Sequence, residues 1–377
     1  MTKLIFRTDQ IKCQQFVYLC TAMTNMRYIV NILFMTFAMM LSGCMHESKI
    51  VMSSSQEYAE FFDIVGQDTD TFIIVSHPSG RQPDTLWVST PVKRIICMSS
   101  SHVAALAAID ASETICAVSG LKYISDPDIR CGTVKDVGYD AALDYEMILD
   151  LKPDLLVTYA VTGAEPPYVS KLRSLGVKTL VLHDHLEQHP LARAEYVRLF
   201  GALTGRMHAA DSVYSFVRDR YNEQMREVNR ATKAKVLINI PYGDAWYIPG
   251  KDGYMSRLVE DAGGEIIGAS SGTSASSVIS LEEAYEYSLE ADMWLNPGPC
   301  RTREEIEAFH HMFPRFGPVA RNLPIYNNIR CANNGGGNDF WERGAVRPDL
   351  LLEDLIAIME HAKGGEKEES LHFHVCM

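Results

Sequence analysis

The chain has 377 residues, of which 47% are apolar, so it is long enough for one large domain or two lobes and too apolar to be disordered throughout. Its formal net charge of −13 at pH 7 argues against nucleic acid or an anionic membrane surface as the main partner. The nine cysteines form no CxxC pair, and their spacing indicates neither a zinc site nor a disulfide framework.

The first 43 residues are predicted to be the signal peptide of a lipoprotein. Arg27 precedes an apolar run over residues 29–40, which is shorter than the roughly 20 residues that a membrane span needs. The run is followed by Leu-Ser-Gly-Cys, the bacterial lipobox pattern, in which Cys44 becomes the lipidated first residue of the mature chain. Translation from Met26 gives a more typical leader than translation from Met1. The alternatives are an ordinary secretory signal and a buried apolar helix.

Residues 44–90 are predicted to form a tether and a β-hairpin-like preamble. Apolar residues alternate at Phe72 and Ile74 and again at Leu86 and Val88, and the segment between them contains Pro, Ser and Gly. Such alternation on both sides of a turn-forming segment is typical of two paired strands.

Strand–helix alternation then predicts an N-terminal α/β lobe over residues 91–203. The apolar run 94–98 is its first strand, and the hydroxyl-rich residues 99–101 that follow suit a helix start. Cys97 and Cys116 lie inside apolar strand patterns and are expected to be buried small residues.

A long amphipathic helix over residues 204–233 is predicted to join this lobe to a second one as a rigid strut. Apolar side chains recur there at three- and four-residue intervals, on one stripe of a helix, at Met207, Ala210, Val213, Tyr214, Val217, Tyr221, Met225 and Val228. The alternative is a crossover helix inside a single sheet. The strut is favoured because the sequence on each side is long enough to hold its own core.

A C-terminal α/β lobe repeats the strand–helix plan over residues 234–362. Ser280 and Glu283 form a capping-box pattern at the start of one of its helices, and a helix with an apolar stripe closes the lobe. A triple glycine at residues 335–337 is predicted to be a hinge or turn, since it lacks the Lys of a phosphate-binding loop. Residues 363–377 are predicted to be a disordered tail.

The candidate binding site is distributed over both lobes. Open α/β sheets bind ligands beyond the carboxyl ends of their strands, and aromatic and hydroxyl side chains suit a large ligand with an apolar body and polar groups. The predicted ligand-binding residues at these ends are Ser100, Ser101, His102, Tyr159, Tyr242, Trp246, Tyr247 and Trp341.

Two other motifs suggest different chemistry. His183, His185 and His189 cluster after a predicted strand and suggest a receptor for a bare metal ion, although a solvated loop has the same composition. Ser270 lies in a G-x-S-x-G motif, which suggests a serine hydrolase, but that elbow requires a helix directly after the Ser.

Several short motifs also occur in a specific order and spacing over residues 92–362. In chain order they are VKRII at 92–96, SSSHVAALAAI at 99–109, TICAVSG at 114–120, EMILDLKPDLL at 146–156, LTG at 203–205, AGG at 262–264, SLE at 280–282, WERG at 341–344 and RPDLLLEDL at 347–355. Together they resemble the class III periplasmic binding proteins, the substrate-binding proteins of ABC importers for iron–siderophore complexes, haem and vitamin B12.

The resemblance implies two Rossmann-like lobes joined by one rigid helix, with the ligand between them. With the lipobox, it implies a monomeric receptor anchored by lipid in the cell envelope and facing the periplasm or the extracellular side. Such a receptor passes an iron–siderophore, haem or cobalamin-type ligand to a permease and its ATPase. It has no catalytic residue, no resident metal and no cofactor beyond its ligand.

The resemblance also implies two docking residues. In the family, one Glu on each lobe pairs with arginines of the permease, and the matching positions are Glu146 and Glu282. Glu283 is the alternative to Glu282, because the interval to Asp292 is longer than the usual family interval.

Overall fold

The structure of the protein, a computed structural model, describes residues 51–52, 56–68, 71–76, 84–139, 142–160, 165–229 and 231–377. The predicted signal peptide and the predicted lipidation site at Cys44 lie outside the described residues. Within the described part of the chain, no helix is long and apolar enough to cross a membrane.

The preamble forms an antiparallel sheet of four strands that lie in chain order. They are β1 (Val51–Met52), β2 (Phe62–Asp68), β3 (Thr71–Ser76) and β4 (Asp84–Ser89). The predicted hairpin corresponds to β3 and β4, in which Phe72 lies opposite Val88 and Ile74 lies opposite Leu86.

Two buried glutamates hold the chain before β2 against the N-terminal lobe. The carboxylate of Glu195 accepts the backbone N–H groups of residues 57–59 at 2.8 to 3.0 Å. The carboxylate of Glu187 accepts those of Glu60 and Phe61 at 3.1 Å. Burial raises the pKa of Glu187 to about 7, although these hydrogen bonds act in the opposite direction.

The N-terminal lobe contains a sheet of five parallel strands. They are β5 (Ile95–Cys97), β6 (Ile115–Val118), β7 (Lys135–Asp136), β8 (Leu155–Tyr159) and β9 (Thr179–Leu182), in the spatial order β7-β6-β5-β8-β9. The lobe's helices are α1 (Ser100–Ala108), α2 (Pro127–Cys131), α3 (Tyr145–Leu151), α4 (Pro167–Ser174) and α5 (Pro190–Thr204). Ile95, Ile96 and Cys97 are fully buried, because helices cover both faces of a parallel sheet.

A single long helix, α6 (Met207–Glu227), connects the lobes. Its buried residues, Ala210, Tyr214, Val217 and Tyr221, follow the predicted stripe, and the helix packs against α5 and against the last helix of the C-terminal lobe. The helix ends six residues before the predicted boundary at 233, because Val228 has an extended backbone and the Asn229 side chain accepts the N–H of Ala231.

A glycine pair sets the turn between α5 and α6. Gly205 ends α5 with φ 72°, in the left-handed region. One turn earlier, a Cβ at Gly201 would lie 2.5 Å from the Cβ of Ala210, so only glycine allows the two helices to approach this closely.

The C-terminal lobe has a second mainly parallel sheet and a separate two-stranded sheet. Its strands are β10 (Ala234–Ile238), β11 (Trp246–Ile248), β12 (Gly264–Ile266), β13 (Ser277–Ile279), β14 (Met293–Leu295), β15 (Ile325–Asn327) and β16 (Val375–Cys376). The larger sheet has the order β12-β10-β14-β15-β16, and β11 pairs with β13. The helices are α7 (Tyr254–Asp261), α8 (Leu281–Glu290), α9 (Arg303–Phe309), α10 (Gly317–Ala320), α11 (Arg343–Val346) and α12 (Pro348–Ala362). The predicted fold class, two Rossmann-like α/β lobes joined by one long helix, is confirmed.

The end of the chain packs against the C-terminal lobe, which corrects the prediction of a disordered tail over residues 363–377. Strand β16 runs antiparallel to β15, and the Phe373 side chain is fully buried. The carboxylate of Asp354 on α12 accepts the backbone N–H groups of His372, Phe373 and His374 at 2.6 to 3.2 Å. The prediction was wrong because a charged, glycine-containing stretch separates α12 from the short anchored segment.

Candidate functional site

Both large sheets have a topological switch point, where neighbouring strands are connected to helices that leave in opposite directions. It lies between β5 and β8 in one lobe and between β10 and β14 in the other. Ligands of such sheets bind in the crevice beyond the carboxyl ends of these strands. In the C-terminal lobe, Asn239 and Asn296 follow the two strands with φ of 66° and 56°, which turns the chain sharply at the crevice.

A pocket of about 190 Å³ occupies this position on the N-terminal lobe. We call it the strand-end pocket, and its lining residues are Met98, Ser119, Tyr123, Tyr139, Tyr159 and Tyr168. None of these side chains carries a charge at neutral pH. Tyr123, Tyr139 and Tyr159 are 38%, 52% and 37% exposed, so part of three aromatic residues is available to a ligand, and Lys122 Nζ lies 4.8 Å from the centre of the Tyr123 ring.

Of these lining residues, only Tyr159 was predicted from the sequence. Met98 and Ser119 directly follow β5 and β6, so the strand-end rule was sufficient to find them. Tyr139 follows β7, a strand of two exposed residues that hydrophobic patterning does not reveal. Tyr168 lies on α4, and its hydroxyl shares a 2.6 Å hydrogen bond with Thr158 on β8.

The predicted ligand-binding residues Ser101 and His102 are buried beneath the strand ends rather than exposed at them. Ser101 donates a hydrogen bond to Asp184 at 3.1 Å, and His102 Nε2 lies 3.7 Å from the same carboxylate. Burial alone would raise the pKa of Asp184, but the neighbouring His102 brings it below its usual range. This corrects the prediction for both residues, which position the loops after β5 and β9. Ser100, the first residue of α1, is half-buried.

Trp246 is also buried, which corrects its prediction as a ligand contact. The residue is 1% exposed, its ring packs against those of Trp294 and Phe316 with centroids 5.9 Å away in each case, and its indole N–H donates to the carbonyl oxygen of Ile238 at 2.9 Å. The neighbouring Tyr247 is 44% exposed. Successive residues of a strand face opposite sides, so β11 cannot present both rings to one ligand.

The other aromatic residues predicted for the C-terminal lobe are on its surface. Tyr242 is 85% exposed in a tight turn closed by its pairing with Ala245, and Trp341 is 50% exposed before α11. With Tyr247, they are accessible to a ligand, and their contact with one stays a prediction.

The triple-glycine loop contacts the strand-end pocket directly. A Cβ at Gly337 would lie 2.1 Å from the carbonyl oxygen of Tyr123, so the backbone of the loop approaches the other lobe as only glycine permits. Asn333 closes the loop by accepting the N–H groups of Gly335 and Gly337, and it donates to the carbonyl oxygen of Ile124 at 3.0 Å. The loop therefore joins the lobes beside Tyr123.

The three histidines considered as metal ligands do not converge. His183 is buried, and burial lowers its pKa. His189 caps α5 by accepting the N–H of Leu191, and its ring lies 4.4 Å from that of Tyr58 with a tilt of 36°, whereas His185 lies edge-on to Tyr159. Among the described residues, no group of three or more His, Cys, Asp or Glu is arranged to hold a metal ion.

Ser270 is not in the setting of a nucleophile elbow. It is exposed in the loop between β12 and β13, and no helix begins directly after it. The strained strand-to-helix turn that exposes such a nucleophile is therefore missing, and the hydrolase hypothesis loses its structural basis.

The two predicted docking residues lie in equivalent positions on the two lobes. Glu146 and Glu282 are exposed in the first turns of α3 and α8, the helices that lead into β8 and β14. A helix that leads into a parallel strand begins near the carboxyl end of the sheet, so both carboxylates lie on the strand-end side of their lobe. The Glu283 carboxylate accepts the backbone N–H of Ser280 in a capping box, so it already has a hydrogen-bond partner at the start of its own helix.

Comparison with known proteins identifies the family. A profile of the family described as "periplasmic binding protein" matches residues 95–309. An uncharacterized lipoprotein of Methanocaldococcus jannaschii is 23% identical over 308 residues, covering 76% of this chain and 70% of the relative.

Solved structures of binding proteins share the fold. The haem-binding protein of Roseiflexus superposes with a TM-score of 0.57 at 17% identity, covering 72% of this chain and 99% of that one. The vitamin B12 binding protein of Vibrio cholerae gives 0.54 at 18% identity, covering 72% and 98%. A possible iron-binding protein of Staphylococcus epidermidis gives 0.55 at 18%, covering 71% and 98%. With two α/β lobes, one connecting helix and a profile match over more than half of its length, the chain belongs to the periplasmic binding protein family.

Proposed function

We propose that the protein is the lipid-anchored substrate-binding component of an ABC importer. It captures an iron–siderophore, haem or cobalamin-type ligand between its lobes and delivers it to a permease, without a catalytic step. Cys44 carries the anchor and holds the protein on the outer side of the membrane that contains the permease. Family membership supports the binding role, and the strand-end pocket supports the class of ligand.

The strand-end pocket, at about 190 Å³, has room for only one edge of a large ligand, and its lining favours an edge with a flat or apolar surface. Three partly exposed tyrosine rings offer stacking surfaces, and their hydroxyl groups offer hydrogen bonds. No lining side chain is charged, and the ammonium of Lys122, 4.8 Å from the centre of the Tyr123 ring, is a single nearby positive charge, too few for a ligand with several negative charges. Haem and corrinoids therefore fit this lining better than a highly anionic iron chelate, and a phenol oxygen is a known ligand of haem iron.

The ligand class is tested by titrating the full chain in detergent with haemin, cyanocobalamin, a ferric hydroxamate and a ferric catecholate. These compounds have distinct visible spectra, and we expect saturable spectral change with haemin or the corrinoid. If the folded chain binds none of the four compounds, the proposed ligand classes are refuted. A Trp87→Ala variant serves as the control and should bind as the unmodified chain does. Trp87 is a suitable control because it is 51% exposed on the preamble sheet.

Delivery depends on Glu146 and Glu282 in this proposal. Replacing both by Ala should leave ligand affinity and melting temperature nearly unchanged, because exposed carboxylates contribute roughly 0–1 kcal/mol to folding. Uptake into vesicles that contain the permease should fall at least about tenfold, since truncating one side of a buried charge pair costs 2–5 kcal/mol. Normal uptake by the double variant would contradict the docking assignment, and Asp150→Asn, an exposed change on the same helix as Glu146, is the control.

A further inference from the structure

A second cavity, of about 950 Å³, lies beside the connecting helix α6. We call it the strut pocket. Its walls come from α1 of the N-terminal lobe, from α6, and from residues 339–347 of the C-terminal lobe. It is separate from the strand-end pocket: α1 begins beside the strand ends, whereas Ala108, which lines the strut pocket, lies about 12 Å further along the helix.

Small side chains create the volume of the strut pocket. Ala104, Ala107 and Ala108 of α1 form one wall, and Val213 and Val217 of α6 form the next. A leucine on α1 would occupy the space that these alanines leave open. The volume and the apolar walls lie in the range of cavities that bind small organic molecules.

An exposed aromatic ring stands at the edge of this cavity. Phe216 on α6 is 56% exposed, and the guanidinium of Arg347 lies 5.5 Å from the centre of its ring. The face of this ring therefore already accommodates a cationic group.

Both arginines of the strut pocket already have carboxylate partners. Arg343 Nε lies 2.8 Å from Asp339 Oδ2. Arg347 binds both oxygens of Asp349 at 2.8 and 2.7 Å. Their positive charges are therefore balanced, and the pocket does not attract an anion through them.

Two aspartates, Asp126 and Asp128, make the pocket acidic, and a third carboxyl, that of Glu342, carries only part of a negative charge at neutral pH because burial raises its pKa to about 7. Glu342 is buried and accepts the N–H groups of Ser125 and Asp126 across the lobes, at 2.7 and 3.2 Å. Asp126 caps α2 through one of its oxygens. Asp128 is exposed at the pocket, and among the described residues its carboxylate forms no hydrogen bond or ion pair. The excess of negative charge favours a cationic ligand.

We propose that the strut pocket is a second binding site, which takes a small organic cation with an apolar, aromatic body. The body lies against the alanines of α1 and the valines of α6, and the cationic group lies near Asp126 and Asp128. The site exists independently of the ligand that the strand-end pocket takes, so it goes beyond the proposed function.

The proposal is tested with two probes that share one fluorophore and differ in charge. The full chain, reconstituted in nanodiscs of zwitterionic lipid, is titrated with dansylcadaverine, a cation, and with dansyl-6-aminohexanoate, an anion. The dansyl group becomes brighter in apolar surroundings, and empty nanodiscs give the background. We expect the cation to bind at least about tenfold more tightly than the anion, a difference that one nearby carboxylate is able to supply.

Three single substitutions test whether dansylcadaverine binds in the strut pocket. Asp128→Asn keeps the shape and removes one charge, so the affinity for dansylcadaverine should fall about fivefold and that for the anion should not fall. Asp150→Asn, on an exposed face of α3 outside the pocket, is the matched control and should change neither. Ala108→Leu fills the cavity and should abolish saturable binding, with circular dichroism reporting whether it folds.

Equal affinity for both probes overturns the proposal, as does unchanged binding in a folded Ala108→Leu variant. If that variant does not fold, the comparison of Asp128→Asn with Asp150→Asn decides alone, because neither change alters the packing. Association between copies of the chain that Ala108→Leu abolishes would assign the cavity to a second copy and overturn the proposal as well.

Discussion

The strand-end pocket and the strut pocket differ in size, lining and origin. The first has about 190 Å³, an uncharged tyrosine lining, and a position fixed by the ends of β5, β6 and β8. The second has about 950 Å³, alanine and valine walls, and an excess of carboxylates contributed by two distant parts of the chain. Sheet topology therefore determines the first site, whereas the packing of two lobes against one helix creates the second.

One segment forms part of both pockets. Tyr123 lines the strand-end pocket, and residues 125–128 line the strut pocket a few positions later. The C-terminal lobe holds this segment at two points, through the triple-glycine loop and through Glu342. Changes to these contacts are expected to affect both pockets, and changes to a lining residue only one.

The largest effect is expected from the tyrosines of the strand-end pocket. Replacing both Tyr123 and Tyr159 by Ala should weaken binding of the chromophoric ligand about a hundredfold or more, because each truncation removes an aromatic contact surface. Phe216→Ala, at the edge of the strut pocket, should change that affinity less than about threefold. An equal loss in both variants would show that the two pockets are not independent, and the measurement is absorbance titration of the full chain.

A smaller effect is expected from the contact between the lobes. Gly337→Ala places a Cβ against the carbonyl oxygen of Tyr123, and we expect it to lower the free energy of unfolding by about 1–3 kcal/mol. Probe binding in the strut pocket and ligand binding in the strand-end pocket should both weaken. Asn334→Ala, an exposed change in the same loop, should cost less than about 0.5 kcal/mol. A Gly337→Ala variant with unchanged urea unfolding would mean that the loop is not held against Tyr123.

The pH dependence contributed by Glu342 is an effect of similar size that is visible only when the pH is changed. Burial raises the pKa of this carboxyl from its ordinary 4.5 to about 7. Because the folded pKa is above the unfolded one, its contribution to stability is fully present below pH 4.5 and is lost as the pH rises through about 7. Glu342→Gln stays neutral and keeps an acceptor, so from pH 5 to pH 8 the unfolding free energy should shift in favour of the variant by about 1–3 kcal/mol.

Urea unfolding at the two pH values measures this shift. Glu307→Gln, an exposed change on α9, should show the same pH dependence as the unmodified chain. A shift in favour of the unmodified chain at pH 8 would contradict the raised pKa and would mean that Glu342 is ionised at little cost in the folded protein.

Local periodicity in the sequence was sufficient to predict the main helices and strands and the α/β fold class. The strand at β5 and the helix α6 were predicted because burial repeats at fixed intervals along each of them, and the opposed pairs in β3 and β4 follow from alternation. The capping box at Ser280 is likewise a contact between residues three positions apart. Tyr159 was found because a strand end is visible in the sequence.

Tertiary structure alone decided which of the predicted residues reach a ligand. Trp246 and Tyr247 are adjacent and both aromatic, and only the packing of β11 against Trp294 and Phe316 makes one of them core and the other surface. The tail is anchored because Asp354 accepts three N–H groups about twenty positions away along the chain.

The strut pocket is the clearest case of a feature that could not be predicted from the sequence. The residues that form it, the alanines of α1, the exposed Phe216 and the carboxylates, lie as much as 238 positions apart, from Ala104 to Glu342. They follow no shared sequence pattern. Sequence by itself determined the two lobes and the helix between them, because those depend on interactions between near neighbours in the chain. A cavity depends on how far apart finished elements pack, and only the folded chain sets those distances.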